Sequence, residues 1–174
     1  MSFRSVILAL SALVAVAPVA AKGDDLENRV RAEILPSFRA MQAAANIHDA
    51  AAHVAFYAKD PKLLFVIGDR RIVGWHALLE QQRKWWPEGR MPPESGANAP
   101  YRLIAGPNII VLDARAALLS FTLDAPKADA KGEIVDRTLA ISQLWQKRPE
   151  GWRITGMVPM DARARVDCQS APAD

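Results

Sequence analysis

Glu133-Ile134-Val135-Asp136-Arg137-Thr138-Leu139-Ala140-Ile141-Ser142-Gln143-Leu144-Trp145-Gln146-Lys147 reads with a period of two. Successive side chains of a strand point to opposite sides of a sheet. Val135, Arg137, Leu139, Ile141, Gln143 and Trp145 therefore share one face, and Asp136, Thr138, Ala140 and Ser142 the other. A strand this long is expected to be strongly curved. Downstream, Pro149-Glu150-Gly151 turns the chain and Trp152–Met160 returns. Upstream, Ala125–Gly132 is a polar turn region, preceded by a strand Ala116–Asp124 and the turn Asp113-Ala114-Arg115. Tyr101–Ala105 and Ile109–Leu112 flank Gly106-Pro107, which reads as one long strand bent by a bulge.

The half of the chain before Tyr101 is mainly helical. Leu26, Val30, Ile34, Phe38, Met41 and Ala45 recur at helical spacing. Asp24 or Asp25 is placed to cap this helix, and Pro36 is expected to kink it or start a second segment. Asp49 caps a short helix Ala50–Tyr57, stopped by Asp60-Pro61. Leu63–Ile67 and Arg71–Val73 are short strands around the turn Gly68-Asp69-Arg70. Gly74 opens a helix with Trp75, Leu78, Leu79, Gln82, Trp85 and Trp86 on one broad face, ended by Pro87. Glu88–Pro100 is a loop long enough to act as a lid or flap. Helices first and then antiparallel strands make an α+β domain, with helices packed on one face of a curved antiparallel sheet.

The N-terminus has the order of a secretory signal. Arg4 is the basic start, Val6–Val16 an apolar run broken only by Ser11, Pro18 a helix stop, and Val19-Ala20-Ala21 a small-residue cleavage site. The run is well short of the about 20 residues of a membrane span. Cleavage after Ala21 leaves 153 residues, enough for one domain with a real core. We expect residues 1–21 as signal peptide, 22–161 as the folded domain and 162–174 as a poorly ordered tail, with a periplasmic or secreted location. No stable membrane anchor is expected after cleavage. The formal charge of the full chain is +3, and removing Arg4 leaves +2. So small a charge, without a basic stripe, gives no nucleic-acid footprint. Cys168 is the single cysteine, so the fold has no internal disulfide.

Several segments resemble a known superfamily. Phe38-Arg39-Ala40-Met41 through Asn46-Ile47-His48-Asp49, then Ala55-Phe56-Tyr57-Ala58-Lys59-Asp60-Pro61, looks like the first two helices of the nuclear transport factor 2-like superfamily, in particular its SnoaL-like branch. Gly74-Trp75-His76-Ala77-Leu78 resembles the start of the third helix of that fold. Asp136-Arg137-Thr138-Leu139, Leu144-Trp145-Gln146-Lys147-Arg148 and Gly151-Trp152-Arg153-Ile154 resemble its final strand pair. The resemblance covers roughly Val30–Asp161. It implies a cone-shaped half-barrel whose curved sheet wraps the long helix around a cavity. It also implies a homodimer through the sheet. The superfamily contains isomerases, dehydratases, cyclases, hydrolases, ligand binders and assembly modules, so fold does not set function.

Candidate residues follow from chemistry. The steroid isomerases of this superfamily carry a carboxylate base on the first strand. Here Leu63-Leu64-Phe65-Val66-Ile67 has no acid, which argues against that chemistry. Asp69 lies in a turn, its ordinary home, and Asp161 is either at the cavity mouth or solvated. If the Arg137 face points inward, Arg137 and Gln143 are placed to bind a carboxylate or other oxyanion. The alternatives are a structural ion pair or a dimer contact. Tyr57 is either a donor to a ligand or a tethered core residue. Trp85, with Trp86, is placed to form an aromatic wall. His48 and His53 lie about 140° apart on a helix and do not share a face, so they read as surface or helix-end residues rather than metal ligands. No metal or cofactor is expected, and no catalytic residue is identified.

The leading expectation is a small-ligand-binding domain holding an apolar or anionic molecule in its cone. A lyase or isomerase using the same cavity, and a non-catalytic dimeric assembly module, are the alternatives. Intact-mass measurement of the protein from its own compartment is expected to give an N-terminus at Lys22. A mature chain starting at Met1 would overturn the leader assignment.

Overall fold

The computed structural model describes residues 21–162; residues 1–20 and 163–174 lie outside them, and with them nearly all of the expected signal peptide (1–21), the expected tail (162–174) and Cys168. Helix α1 spans Ala21–Asn46. Its stripe is buried as the spacing requires: Val30, Ile34, Phe38 and Met41 lie in the core shared with the sheet, and Ala45 in a smaller cluster with Ala50 and Trp86. Two expectations change here. The helix starts ahead of Asp24 and Asp25, so neither is its cap; Asp24 lies in the first turn, where its charge favours the helix end. Pro36 does not divide the helix. It lies on the exposed side, as does Ala32, whose carbonyl loses its donor to the proline. Ile34 and Phe38, buried on either side of Pro36, hold the two turns on one axis.

Helix α2 spans Ala50–Val54, with the Asp49 side chain accepting from the Ala52 N–H at 2.9 Å. It is shorter than expected because Tyr57 leaves it to bridge Ile154 of the last strand. Strands β1 (Leu64–Ile67) and β2 (Arg70–Val73) form a hairpin, and α3 spans Trp75–Trp85. The remaining strands are β3 (Arg102–Asp113), β4 (Ala116–Asp124), β5 (Lys127–Ala128), β6 (Ile134–Val135), β7 (Thr138–Arg148) and β8 (Gly151–Asp161). The main sheet has the order β2-β1-β8-β7-β4-β3, antiparallel except for β1 beside β8. It remains open, with β2 and β3 at its edges.

The expected strand Glu133–Lys147 is two strands. β6 pairs with β5 in a separate small sheet, and β7 pairs with β4 in the main one. The break falls at Asp136 and Arg137. There the Ala125 N–H donates to the Arg137 carbonyl at 2.7 Å and closes the β4–β7 ladder. Beyond that point both chains depart into a small hairpin, whose turn is gathered by Asp129 Oδ1 accepting from the N–H groups of Lys131 and Glu133.

Curvature has identifiable sources. The β3–β4 register shifts between Leu103 and Ala105, and again between Ala105 and Asn108. Bulges of this kind bend and twist a strand. Gly106, at φ 88°, sits in that bend, and a Cβ there would lie 2.8 Å from the Ser120 carbonyl oxygen. Only glycine fits so close an approach.

Helices α1 and α2 are tied by His53. Its Nδ1 lies 3.2 Å from the Met41 carbonyl oxygen. A carbonyl only accepts, so Nδ1 carries the proton and Nε2 is left as an acceptor. Burial pushes the His53 pKa down from 6.5 to about 4, against the smaller opposing effect of the Met41 carbonyl. The unfolded chain therefore binds more protons across that interval. The contribution to stability is complete above about pH 6.5 and is lost as pH falls towards 4, amounting to about 3 kcal/mol. Denaturant unfolding between pH 7 and 4.5 is expected to show this slope in the wild type and a flatter one in His53→Gln. Identical slopes in the two proteins would refute the assignment.

Candidate functional site

The concave sheet and the three helices enclose a cavity of about 420 Å³, within the size range of small-molecule sites. Phe65 and Ile67 of β1, Phe121 and Leu123 of β4, and Leu139 and Ile141 of β7 supply apolar wall. Trp85 and Trp86, at the end of α3, add aromatic wall. They stand there because the amphipathic face of α3 buries Leu78 and Gln82 and delivers its last turn to the cavity. Gln143 and His53 line the deep end and are buried, whereas Lys127 and Asn98 line the mouth and are exposed. Ala97 and Asn98 bring the 88–100 loop to that rim.

The inward face of β7 is now assigned. Leu139, Ile141, Gln143 and Trp145 are buried, and Ser142 is exposed on the outer side. Arg137 lines the cavity where β7 begins. Its Nε donates to the Ala125 carbonyl oxygen at 3.1 Å. This bond, with the backbone bond returned from Ala125, fixes the base of the guanidinium. Among the described residues no carboxylate forms an ion pair with Arg137. Lys127 adds a second cation to the same end. Among the described residues no Asp or Glu lines the cavity.

Gln143 also lines the cavity, but not beside Arg137. Six residues along a strand separate their Cα atoms by about 20 Å. The expectation that both would grip one oxyanion is therefore corrected: the pair spans the cavity instead. Gln143 Oε1 accepts from the Trp145 indole N–H at 3.0 Å. Its Nε2 faces the thioethers of Met157 at 3.6 Å and Met41 at 3.8 Å.

Trp85 lies where the sequence placed it, at the wall, with its ring 6.0 Å from that of Phe65. Tyr57 does not line the cavity. It is fully buried behind it, with its hydroxyl donating to Met157 Sδ at 2.8 Å, and burial raises its pKa. The surface reading of His48 and His53 is also corrected. Both are buried and both pack on Trp86, His48 stacked at 5.1 Å and His53 edge-on at 5.1 Å. His48 precedes α2 with φ 55°, so helical spacing does not govern the pair. His53 faces the cavity on the same side of α2 as Ala50 and Val54, a spacing of three and four that the sequence already contained. Tyr101 and Gln82 also line the cavity. Burial pushes the Tyr101 hydroxyl pKa up, opposed by hydrogen bonding with Trp86 and by the charge of Arg137. No local pattern marks Tyr101 or Lys127, because each is brought in by the path of a loop or hairpin.

No protein-family model and no curated protein sequence matches the chain. Solved structures do. A nuclear transport factor 2-like superfamily protein from Salmonella enterica serovar Typhimurium is 20% identical, with a TM-score of 0.63, covering 78% of this chain and 92% of that one. A ketosteroid isomerase-like protein from Erwinia carotovora atroseptica is 17% identical, with a TM-score of 0.58, covering 75% and 95%. The association domain of CaMKII from C. elegans is 17% identical, with a TM-score of 0.58, covering 78% and 98%. At these identities the likeness establishes architecture: this chain has the nuclear transport factor 2-like fold.

Proposed function

We propose that this domain binds a small anionic molecule with an apolar body, held in the cone with its charge at the mouth. The observation that carries the reading is the sign of the lining: apolar walls, Arg137 and Lys127 at the rim, and no carboxylate among the described residues to neutralise them. A part-buried guanidinium without a carboxylate partner among the described residues is suited to a carboxylate or other oxyanion from outside. Trp85 and Trp86 offer flat apolar surface for the body of the ligand. On the motifs quoted above, we place the chain in the SnoaL-like branch. The apolar run of the leader supports a periplasmic or secreted location after cleavage.

Enzyme chemistry of the lyase or isomerase type is the second reading. One of the similar structures is a ketosteroid isomerase-like protein. This chain has no carboxylate in the cavity wall among the described residues, and His53 is the one imidazole that lines it among them. Binding without turnover is the reading that the lining favours.

A homodimer through the outer sheet face has its own observation. Ile110 of β3 pairs with Leu118 of β4, which pairs with Leu144 of β7, and Ile110 and Leu118 are exposed at 55% and 41%. Leu112 and Val158 add to the apolar exposure. An apolar row of this kind marks an interaction surface.

Two outcomes are expected. Decanoate binding, followed by tryptophan fluorescence and calorimetry, should weaken by about 10-fold or more in Arg137→Ala, the scale of a charge-assisted hydrogen bond. The dimer should persist in that variant; unchanged affinity with a dissociated dimer would reassign Arg137 to the interface. Sedimentation of Ile110→Asp should show a monomer that still binds decanoate. A dimer surviving that substitution would move the interface elsewhere.

A further inference from the structure

The deep end of the cavity holds a hydrogen-bond donor without a good acceptor. Gln143 is fully buried. Its amide orientation is set by chemistry, because the Trp145 indole N–H, 3.0 Å away, is a donor only. Oε1 must face Trp145, and the NH₂ group must then face the other way. There it meets Met157 Sδ at 3.6 Å and Met41 Sδ at 3.8 Å; all three residues line the cavity, and with Gln143 fully covered an oxygen from the cavity reaches the amide when a flexible methionine side chain swings aside. Thioether sulfur is a weak acceptor. A buried amide N–H with so little return is expected to be completed by an oxygen supplied from the cavity.

The positions along β7 give this donor its meaning. Arg137, Leu139, Ile141 and Gln143 alternate onto the inward face, so one strand presents a cation, two apolar side chains and an amide donor in that order. The cation stands towards the mouth and the amide at the buried end. Met157, which faces the amide, also receives the Tyr57 hydroxyl at 2.8 Å, and the Tyr57 oxygen lies 3.4 Å from His53 Nε2. The buried end is thus polar around an otherwise apolar chamber.

We propose that Gln143 is a specificity residue that selects ligands bearing a second oxygen at the end remote from the anion. The ligand class is a medium-length carboxylate with a terminal hydroxyl or carbonyl: the anion sits at Arg137, the body lies along Leu139 and Ile141, and the distal oxygen accepts from Gln143 Nε2. The inference rests on the anionic-ligand reading above and narrows it. Plain hydrocarbon ends leave the amide facing sulfur, whereas an oxygen end completes it.

The test uses paired probes of equal length on the mature protein: ω-hydroxy fatty acids of eight to fourteen carbons, each against the fatty acid in which a methyl replaces the hydroxyl. The best-fitting hydroxy acid is expected to bind about fivefold to tenfold tighter than its methyl partner, the scale of one hydrogen bond. In ¹⁵N–¹H spectra the Gln143 side-chain NH₂ pair should shift with the hydroxy acid and not with its partner. Gln143→Glu keeps an acceptor for Trp145 and removes the donor, and should abolish the preference; the wild-type spectra decide the matter if that variant does not fold. Equal affinities across every pair, with the Gln143 resonances unmoved and Arg137 still required, would overturn this inference and leave the anion reading standing. If no chain length of either series binds, the anion reading falls and this inference with it.

Discussion

The structure depends on how far α1 fills the curve of the sheet. Its register is pinned at one end by Glu33, whose Oε2 accepts from Lys147 Nζ and the Trp152 indole N–H, both at 2.7 Å. Those bonds lower the Glu33 pKa, the Lys147 bond most. From there Ile34 and Phe38 pack inward, with the Phe38 ring edge-on to Phe121 at 5.0 Å. Trp145 and Ile154 lie in the same core, fully buried. The helix therefore closes the end of the cone where β7 finishes. At Met41 it meets Gln143, and from that point it lines the cavity only with Met41, Gln42 and Ala45. The cavity is the part of the sheet's concavity that the helix does not fill.

This arrangement explains the polarity of the site. The last well-packed layer carries Trp145, whose N–H needs an acceptor once buried. Gln143, two residues away on the same face, supplies one and turns its own donors to the thioethers of Met41 and Met157 in the cavity wall. At the other end the sheet splits, because β4 and β7 separate beyond the Ala125–Arg137 bond. That split exposes a rim on which Arg137 and Lys127 stand. A buried amide end and a cationic mouth are thus consequences of where the ladder stops at each end, and the apolar alternation between them is ordinary strand patterning.

The same geometry separates this cavity from that expected of a carboxylate-base isomerase. A buried acid would need a strand position facing inward among the apolar walls, where desolvation raises its pKa. β1 offers Phe65 and Ile67 at the lining positions instead. His53 is the one imidazole lining the cavity among the described residues, and its low pKa makes it a poor base and a good neutral acceptor. The proposed function accordingly rests on recognition, by charge at one end and by hydrogen bonding at the other.

The sequence by itself determined the succession of helices and then strands, the inward stripe of α1, the bulge at Gly106-Pro107 and the face on which Arg137 and Gln143 would be found together. Each follows from a local period or from the restricted backbone of glycine and proline, and none needs a distant partner. Tertiary structure decided the rest. Pro36 stayed within one helix because packing on both sides outweighed a lost solvent-side hydrogen bond. The strand of residues 133–147 broke at Arg137 because its neighbour β4 ended there, which no period within the strand records. Tyr57 was drawn into the core and His48 onto Trp86 by residues remote in sequence. Above all, spacing put Arg137 and Gln143 on one face, but only the curvature of the sheet and the reach of α1 placed one at the open mouth and the other at the closed end.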